Sequence, residues 1–139
     1  MKQKQIFIVD DDVSVRKALK RFLSSYNFDV SVFDTVEGFL DAVCSDTSGC
    51  LVLDVHMPGT NGLELQRKLQ AAKAKIKTIF ITADRSIFTR ENAAEAGAFA
   101  YLFKPFTQQE FMRLIRSAFS GQKISRSHKR IKRAERTME

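Results

Sequence analysis

Polar residues that can take part in chemistry stand directly after short apolar segments of this 139-residue chain. The set consists of Asp10, Asp11, Asp12, Asp54, Thr82 and Lys104. If the carboxylates meet, their mutual repulsion favours a bound divalent cation. Ligand atoms that are all oxygen, without a Cys or His cluster, indicate a hard ion such as Mg²⁺. This ion usually keeps several waters and also binds phosphate oxygens.

The same residue types fit phosphoryl transfer. An Asp carboxylate can act as the nucleophile and form an aspartyl phosphate. The Thr82 hydroxyl and the Lys104 ammonium would hydrogen-bond phosphoryl oxygens, and the cation and Lys104 would neutralise charge that develops on the transferred group. A structural interpretation stands beside this one, in which the carboxylates cap helices and Lys104 pairs with them. Asp12 in particular is expected to cap the first helix.

The elements that must bring these residues together follow from the apolar pattern. Strands are predicted at 5–9, 30–33, 51–53, 78–81 and 99–102, and helices at 13–23, 39–43, 63–69, 86–95 and 111–119. This alternation predicts an α/β fold, a (βα)5 doubly wound five-stranded parallel sheet in a flavodoxin-like three-layer sandwich. Ligands bind such sheets beyond the carboxyl ends of the strands. The polar residues lie at those ends.

The net charge of +7 is distributed unevenly along the chain. Residues 122–139 hold seven basic and two acidic side chains, a net charge of +5, which leaves +2 for residues 1–121. Such asymmetry indicates a basic tail rather than a basic domain. We therefore predict one domain over residues 1–121, and a basic tail or the start of an interdomain linker at 122–139.

The apolar segments and the cysteines indicate the cellular compartment in which the protein is found. No apolar segment approaches the ~20 residues that a membrane span needs, and the basic N-terminus is not followed by the apolar stretch of a signal peptide. We expect a cytoplasmic protein without a membrane partner. Its two cysteines, Cys44 and Cys50, are expected to be free thiols in a reducing compartment.

Taken together, the motifs resemble the receiver domain of bacterial two-component response regulators, the CheY-like fold. They are Ile8-Val9-Asp10-Asp11-Asp12, Leu53-Asp54-Val55-His56-Met57-Pro58-Gly59 with Asn61-Gly62, Phe80-Ile81-Thr82-Ala83, and Ala96-Gly97-Ala98 with Tyr101-Leu102-Phe103-Lys104-Pro105-Phe106. The resemblance covers about residues 4–120 and is greatest to receivers of FixJ-type transcription factors. It implies a phosphoprotein of phosphorelay signal transduction rather than an enzyme.

The resemblance implies a role for three of the acidic residues and for His56. Asp54 would accept a phosphoryl group from a phosphohistidine on a sensor histidine kinase. Asp11 and Asp54 would bind Mg²⁺ through their side chains, and His56 would bind it through its backbone carbonyl. Asp10 would hold a water bound to the metal.

The resemblance also implies a switch that involves the remaining motif residues. Thr82 and Lys104 would contact the phosphoryl group, and Lys104-Pro105 would be a cis peptide. Phosphorylation would draw Thr82 inward and let Tyr101 rotate into the space. This would change the face formed by the fourth helix, the fifth strand and the fifth helix (α4-β5-α5 in the family). That face would form a homodimer or dock an output domain that controls transcription.

Other interpretations remain open. A pseudo-receiver would bind partners without being phosphorylated. An Asp-nucleophile phosphatase would need a second acid where His56 stands, and a cap domain. The basic tail could bind DNA by itself. FixJ-type regulators continue into a helix-turn-helix domain, for which the residues after Gly121 are too few. We therefore expect either a chain that ends in the linker or a stand-alone receiver.

Overall fold

The fold was obtained as a computed structural model that describes residues 4–57, 60–83, 91 and 94–120. At 56, 57, 60 and 61 the description is limited to the backbone. Most of the predicted helix at 86–95 and the whole predicted tail at 122–139 lie outside the described residues.

Five strands form one parallel sheet, as predicted. They are β1 (Gln5–Val9), β2 (Asp29–Phe33), β3 (Ser48–Asp54), β4 (Lys75–Thr82) and β5 (Ala100–Phe103). Their order across the sheet is β2-β1-β3-β4-β5, and every neighbouring pair is parallel. The order reverses direction between β1 and β3, so the carboxyl ends of these two strands mark the switch point where doubly wound sheets bind ligands.

Four helices are described with full bounds. They are α1 (Val13–Ser24), α2 (Val36–Ala42), α3 (Gly62–Ala71) and α4 (Gln108–Phe119). The helix named α4 here is the fifth of the predicted helices. Between β3 and α3, a two-residue antiparallel pair joins His56–Met57 to Thr60–Asn61. Within the described part of the chain, no helix is both long enough and apolar enough to cross a membrane.

Side-chain caps fix where α2 and α4 begin. Thr35 accepts a hydrogen bond from the Gly38 N–H at 2.9 Å and so caps α2. At α4, the Thr107 hydroxyl accepts from the Glu110 N–H, and the Glu110 carboxylate accepts from the Thr107 N–H, each at 3.0 Å. This capping box satisfies two N–H groups that would otherwise lack partners at the start of the helix.

Both faces of the sheet are buried, because residues that alternate along each strand point to opposite faces. One core includes Phe7, Leu53, Phe80 and Tyr101 from the strands, with Phe39 of α2 and Leu65 of α3. The other includes Ile8, Val52, Ile81 and Leu102 from the strands, with Leu23 of α1 and Ile115 of α4. Each fully buried side chain of this size contributes about 2 kcal/mol through the hydrophobic effect. These two cores hold the carboxyl ends of the strands in register.

Two apolar residues within the predicted helices lie outside both cores. Val13 is 50% exposed and Leu40 is 38% exposed. Val13 is the first residue of α1 and follows the acidic loop, so it sits at the rim where the sheet no longer covers it. Both cysteines are free, as expected, with Cys50 buried and Cys44 exposed.

Replacing Gly49 by Ala is expected to destabilise the domain by at least about 2 kcal/mol. Gly49 lies near the start of β3 with a φ of +148°, and a Cβ atom there would lie 2.4 Å from the backbone oxygen of Gln5 on the neighbouring strand. The backbone strain and the clash act together. Urea unfolding measures the loss, and Ser48→Ala, at the adjacent exposed position, is the matched control. Equal stability of the two variants would contradict the prediction.

Candidate functional site

The sheet brings three carboxylates together at its switch point. Asp10 directly follows β1, and its N–H donates to the Phe33 carbonyl of β2 at 3.1 Å. Asp54 is the last residue of β3. One carboxylate oxygen from each of Asp10, Asp11 and Asp54 lies within 4.8 Å of those from the other two. The predicted convergence of carboxylates from two separate stretches of sequence is therefore present.

Lys104 places a cation beside this cluster. Its Nζ lies 3.3 Å from Asp54 Oδ2 and 3.8 Å from Asp10 Oδ2. The Asp10 side chain is only 4% exposed and that of Asp54 12%, whereas the lysine side chain is 32% exposed. The carboxylates of Asp10 and Asp54 are therefore largely buried, and the more exposed lysine contacts both of them.

Besides the hydrogen bond from its N–H to Phe33, three contacts fix Asp10. Its Oδ1 accepts the Asp12 N–H at 2.9 Å, and its backbone carbonyl accepts from Arg16 Nη1 at 2.8 Å. Lys104 is the third partner. Burial raises the pKa of the Asp10 carboxyl, and the hydrogen bond from the Asp12 N–H opposes this rise. A cation bound beside Asp10 would stabilise its charged form.

Asp12 caps α1, as predicted from sequence. Its Oδ1 accepts hydrogen bonds from the Ser14 N–H at 2.8 Å and the Val15 N–H at 3.4 Å. Asp12 is absent from the group of three carboxylates that could share a cation. The structural interpretation therefore holds for this one residue of the acidic triplet.

Thr82 and Lys104 come from adjacent strands. Thr82 is the last residue of β4 and is 1% exposed. Its backbone carbonyl accepts the Lys104 N–H at 2.8 Å, which ties the end of β5 to the end of β4. The peptide bond between Lys104 and Pro105 is cis. Thr82, Lys104 and the acidic cluster thus occupy the same edge of the sheet.

This donor set suits Mg²⁺. The side-chain atoms that could bind a metal are all carboxylate oxygens. Two of the three carboxylates are largely buried, and the third, that of Asp11, is exposed. Hard cations of this kind prefer one or two carboxylates and complete their shell with water and phosphate oxygens. The exposed side of the cluster leaves room for such ligands.

A family model described as the response regulator receiver domain matches residues 6–116. The chain belongs to the response regulator receiver domain family. This family is one of signalling domains and is not a known enzyme family. Receiver domains bind Mg²⁺ at their acidic pocket, interact with histidine kinases and can dimerise. The Asp cluster of this receiver lies where that pocket is expected.

The predicted likeness to FixJ-type regulators is confirmed by curated relatives. The transcriptional regulatory protein TdiR of Thauera aromatica is 38% identical over 115 residues, which cover 83% of this chain and 51% of TdiR. The transcriptional regulatory protein FixJ of Bradyrhizobium diazoefficiens is 34% identical over 113 residues, which cover 81% of this chain and 55% of FixJ. The chain thus spans about half the length of the curated relatives it matches.

Solved structures give the same assignment. The crystal structure of FixJ-N superposes with a TM-score of 0.79 at 32% identity and covers 88% of this chain and 98% of FixJ-N. A low-resolution structure of the response regulator StyR superposes with a TM-score of 0.77 at 37% identity, over 99% of this chain and 66% of StyR. These matches confirm the doubly wound fold of the receiver.

The resemblance also implies roles for Tyr101 and His56. The Tyr101 ring is buried, with 2% exposure, and its centroid lies 5.0 Å from that of Phe103 and 6.4 Å from that of Phe80. The movement proposed for Tyr101 stays a prediction. The side chain of His56 lies outside the described residues, and the role of its carbonyl as a metal ligand also stays a prediction.

Replacing Asp10 by Asn is expected to raise the free energy of unfolding of the metal-free receiver at neutral pH. Burial raises the pKa of Asp10 in the folded state, whereas Asp in an unfolded chain has a pKa of about 3.9. The Asp10 carboxyl therefore stays protonated to a higher pH in the folded state than in the unfolded chain. Ionisation of Asp10 therefore costs stability as the pH rises. The stability advantage of Asp10→Asn should be smallest below about pH 4 and should grow as the pH rises through the raised pKa.

Urea unfolding in EDTA, from about pH 4 to about pH 7, measures this difference. Asp41→Asn, at an exposed position of α2, is the control and should follow the wild type at each pH. A wild type as stable as Asp10→Asn at neutral pH would contradict the prediction.

Proposed function

We propose that this receiver accepts a phosphoryl group on Asp54 from the phosphohistidine of a sensor histidine kinase. The observation that supports this proposal is the cluster of Asp10, Asp11 and Asp54 oxygens within 4.8 Å, with the Lys104 ammonium 3.3 Å from Asp54. In the transfer, an Asp54 oxygen forms a bond to phosphorus while the bond from phosphorus to the histidine nitrogen breaks. The product is an aspartyl phosphate.

The surrounding side chains would each act on one part of the reaction. Asp11, Asp54 and the His56 carbonyl would hold Mg²⁺, and Asp10 would hold a water in its shell. Bound there, Mg²⁺ supplies positive charge that offsets the charge developing on the phosphoryl oxygens. Lys104 and the Thr82 hydroxyl would hydrogen-bond those oxygens. The domain would assist only its own phosphorylation and dephosphorylation.

Phosphorylation would be transmitted through Thr82 and Tyr101. Inward movement of Thr82 and a change in the position of Tyr101 would alter the face made by the helix before β5, β5 itself and α4. Such a local charge event has a wider effect when it biases an element with two stable arrangements. The altered face would form a homodimer or dock an output domain, and the output would be transcription in the cytoplasm.

The proposed organisation is a receiver over residues 1–121, followed by a basic tail or the start of an interdomain linker at 122–139. Specific DNA binding would then belong to an output domain outside this chain. The tail would add only weak, salt-dependent contact with DNA through its net charge of +5.

Mg²⁺-dependent phosphoryl uptake tests the proposal. The full chain is incubated with acetyl phosphate, with Mg²⁺ or with EDTA, and its intact mass is measured. We expect one phosphoryl group per chain with Mg²⁺ and little or none with EDTA. The group should be released by hydroxylamine, because acyl phosphates react with it. No uptake would favour a pseudo-receiver that works without phosphorylation. Uptake that EDTA leaves unchanged would contradict the part that the proposal gives to Mg²⁺.

A further inference from the structure

Arg16 contacts the acidic pocket without touching a carboxylate. It lies in the first turns of α1, and its Nη1 donates to the backbone carbonyl of Asp10 at 2.8 Å. That carbonyl belongs to the peptide group that joins Asp10 to Asp11. A hydrogen bond from a charged donor is about twice as strong as a neutral one. Arg16 therefore fixes the plane of the Asp10–Asp11 peptide.

Asp11 depends on that peptide plane more than the other two carboxylates do. Asp10 is held through Oδ1 by the Asp12 N–H, and Asp54 is held by Lys104 and by its place at the end of a central strand. Asp11 is exposed, and in the part of the chain that the structure describes no hydrogen bond or salt bridge holds its side chain. Its position near the other oxygens is thus set by its backbone.

Two restraints from α1 act on this backbone. The Asp12 cap ties the loop to the first N–H groups of α1. Arg16 reaches back from α1 to the Asp10 carbonyl, on the other side of Asp11 in the chain. Without Arg16, rotation of the Asp10–Asp11 peptide would carry the Asp11 carboxylate away from Asp54.

We propose that Arg16 is a positioning residue for the metal site, which holds Asp11 in place for a divalent cation by fixing the Asp10–Asp11 peptide. The inference rests on the proposed function, because it concerns the same acidic pocket. The positive charge of Arg16 alone would weaken Mg²⁺ binding, because a cation near the pocket repels the metal. The proposal instead expects Arg16 to strengthen Mg²⁺ binding, because it keeps Asp11 in position to bind the metal.

The Mg²⁺ affinity of Arg16 variants separates the effect of the arginine charge from its effect on the position of Asp11. In Arg16→Met we expect the dissociation constant for Mg²⁺, from calorimetry or NMR titration of the full chain, to rise by about tenfold, as found for residues that orient metal ligands. Arg16→Lys keeps a charged donor of similar reach and should restore most of the affinity. In the metal-free protein, the Asp11 amide should exchange faster with solvent in Arg16→Met than in the wild type. Lys17→Met removes the neighbouring exposed charge of α1 and should leave the affinity near that of the wild type.

Each other outcome overturns the inference. Tighter Mg²⁺ binding by Arg16→Met would mean that Arg16 acts through its charge alone. A lower free energy of unfolding with unchanged Mg²⁺ affinity would mean that its role is structural only. If the wild type and Arg16→Met both fail to bind Mg²⁺, the proposed function fails as well. If the wild type binds and takes up phosphoryl while Arg16→Met binds equally well, only the inference fails.

Discussion

Asp54→Asn is expected to take up no phosphoryl group under conditions in which the wild type takes up one per chain. The Asn side chain is neutral, so it is a poor nucleophile, and it brings no negative charge to the cation. Lys104 would lose the carboxylate that it contacts at 3.3 Å. Asp10 and Asp11 stay in place in this variant. The experiment therefore asks whether any neighbouring carboxylate can replace Asp54.

Intact mass after incubation with acetyl phosphate and Mg²⁺ measures the effect, and circular dichroism checks the fold. Asp41→Asn is the matched control, because it makes the same chemical change on the exposed surface of α2 and should be phosphorylated like the wild type. If Asp54→Asn gains a phosphoryl group as readily as this control, Asp54 is not the acceptor. A gain mapped to Asp10 or Asp11 would assign the reaction to the same pocket but to another residue.

The sheet could be predicted from sequence because its strands are buried on both faces. A strand such as β1 then appears as a continuous apolar run, and its predicted bounds, Gln5–Val9, agree with the structure. The prediction was less accurate where strands extend beyond the core. β4 begins at Lys75, three residues before the predicted start, because Lys75 and Lys77 lie in its solvent-facing end, where charged residues continue the backbone pairing with β3.

The side-chain cluster could be predicted because topology alone brings the carboxyl ends of parallel strands to one edge. This rule places Asp10, Asp54, Thr82 and Lys104 at the same edge without any knowledge of side-chain conformations. Contacts within the edge could not be predicted in this way. The bond from Arg16 to the Asp10 carbonyl depends on the direction of α1, and an Arg about one turn after a motif has no signal of its own in the sequence.

Lys104→Gln is expected to slow phosphoryl uptake by about 100-fold or more, which is the usual cost of removing one group that stabilises developing charge. The amide keeps a hydrogen-bond donor but loses the positive charge that lies 3.3 Å from Asp54 Oδ2 and 3.8 Å from Asp10 Oδ2. The same loss should tighten Mg²⁺ binding, because the ammonium and the metal compete for these carboxylates. Slower transfer together with tighter metal binding cannot result from general damage to the pocket.

The rate is measured from the time course of intact mass with acetyl phosphate, and the Mg²⁺ affinity by calorimetry. Lys68→Gln is the control, because Lys68 pairs with Glu64 at 3.9 Å on the exposed surface of α3 and should affect neither quantity. Uptake by Lys104→Gln at the wild-type rate would remove Lys104 from the reaction. Arg16→Met should shift Mg²⁺ affinity in the opposite direction, because Arg16 binds a carbonyl and orients a ligand, whereas Lys104 binds the carboxylates themselves.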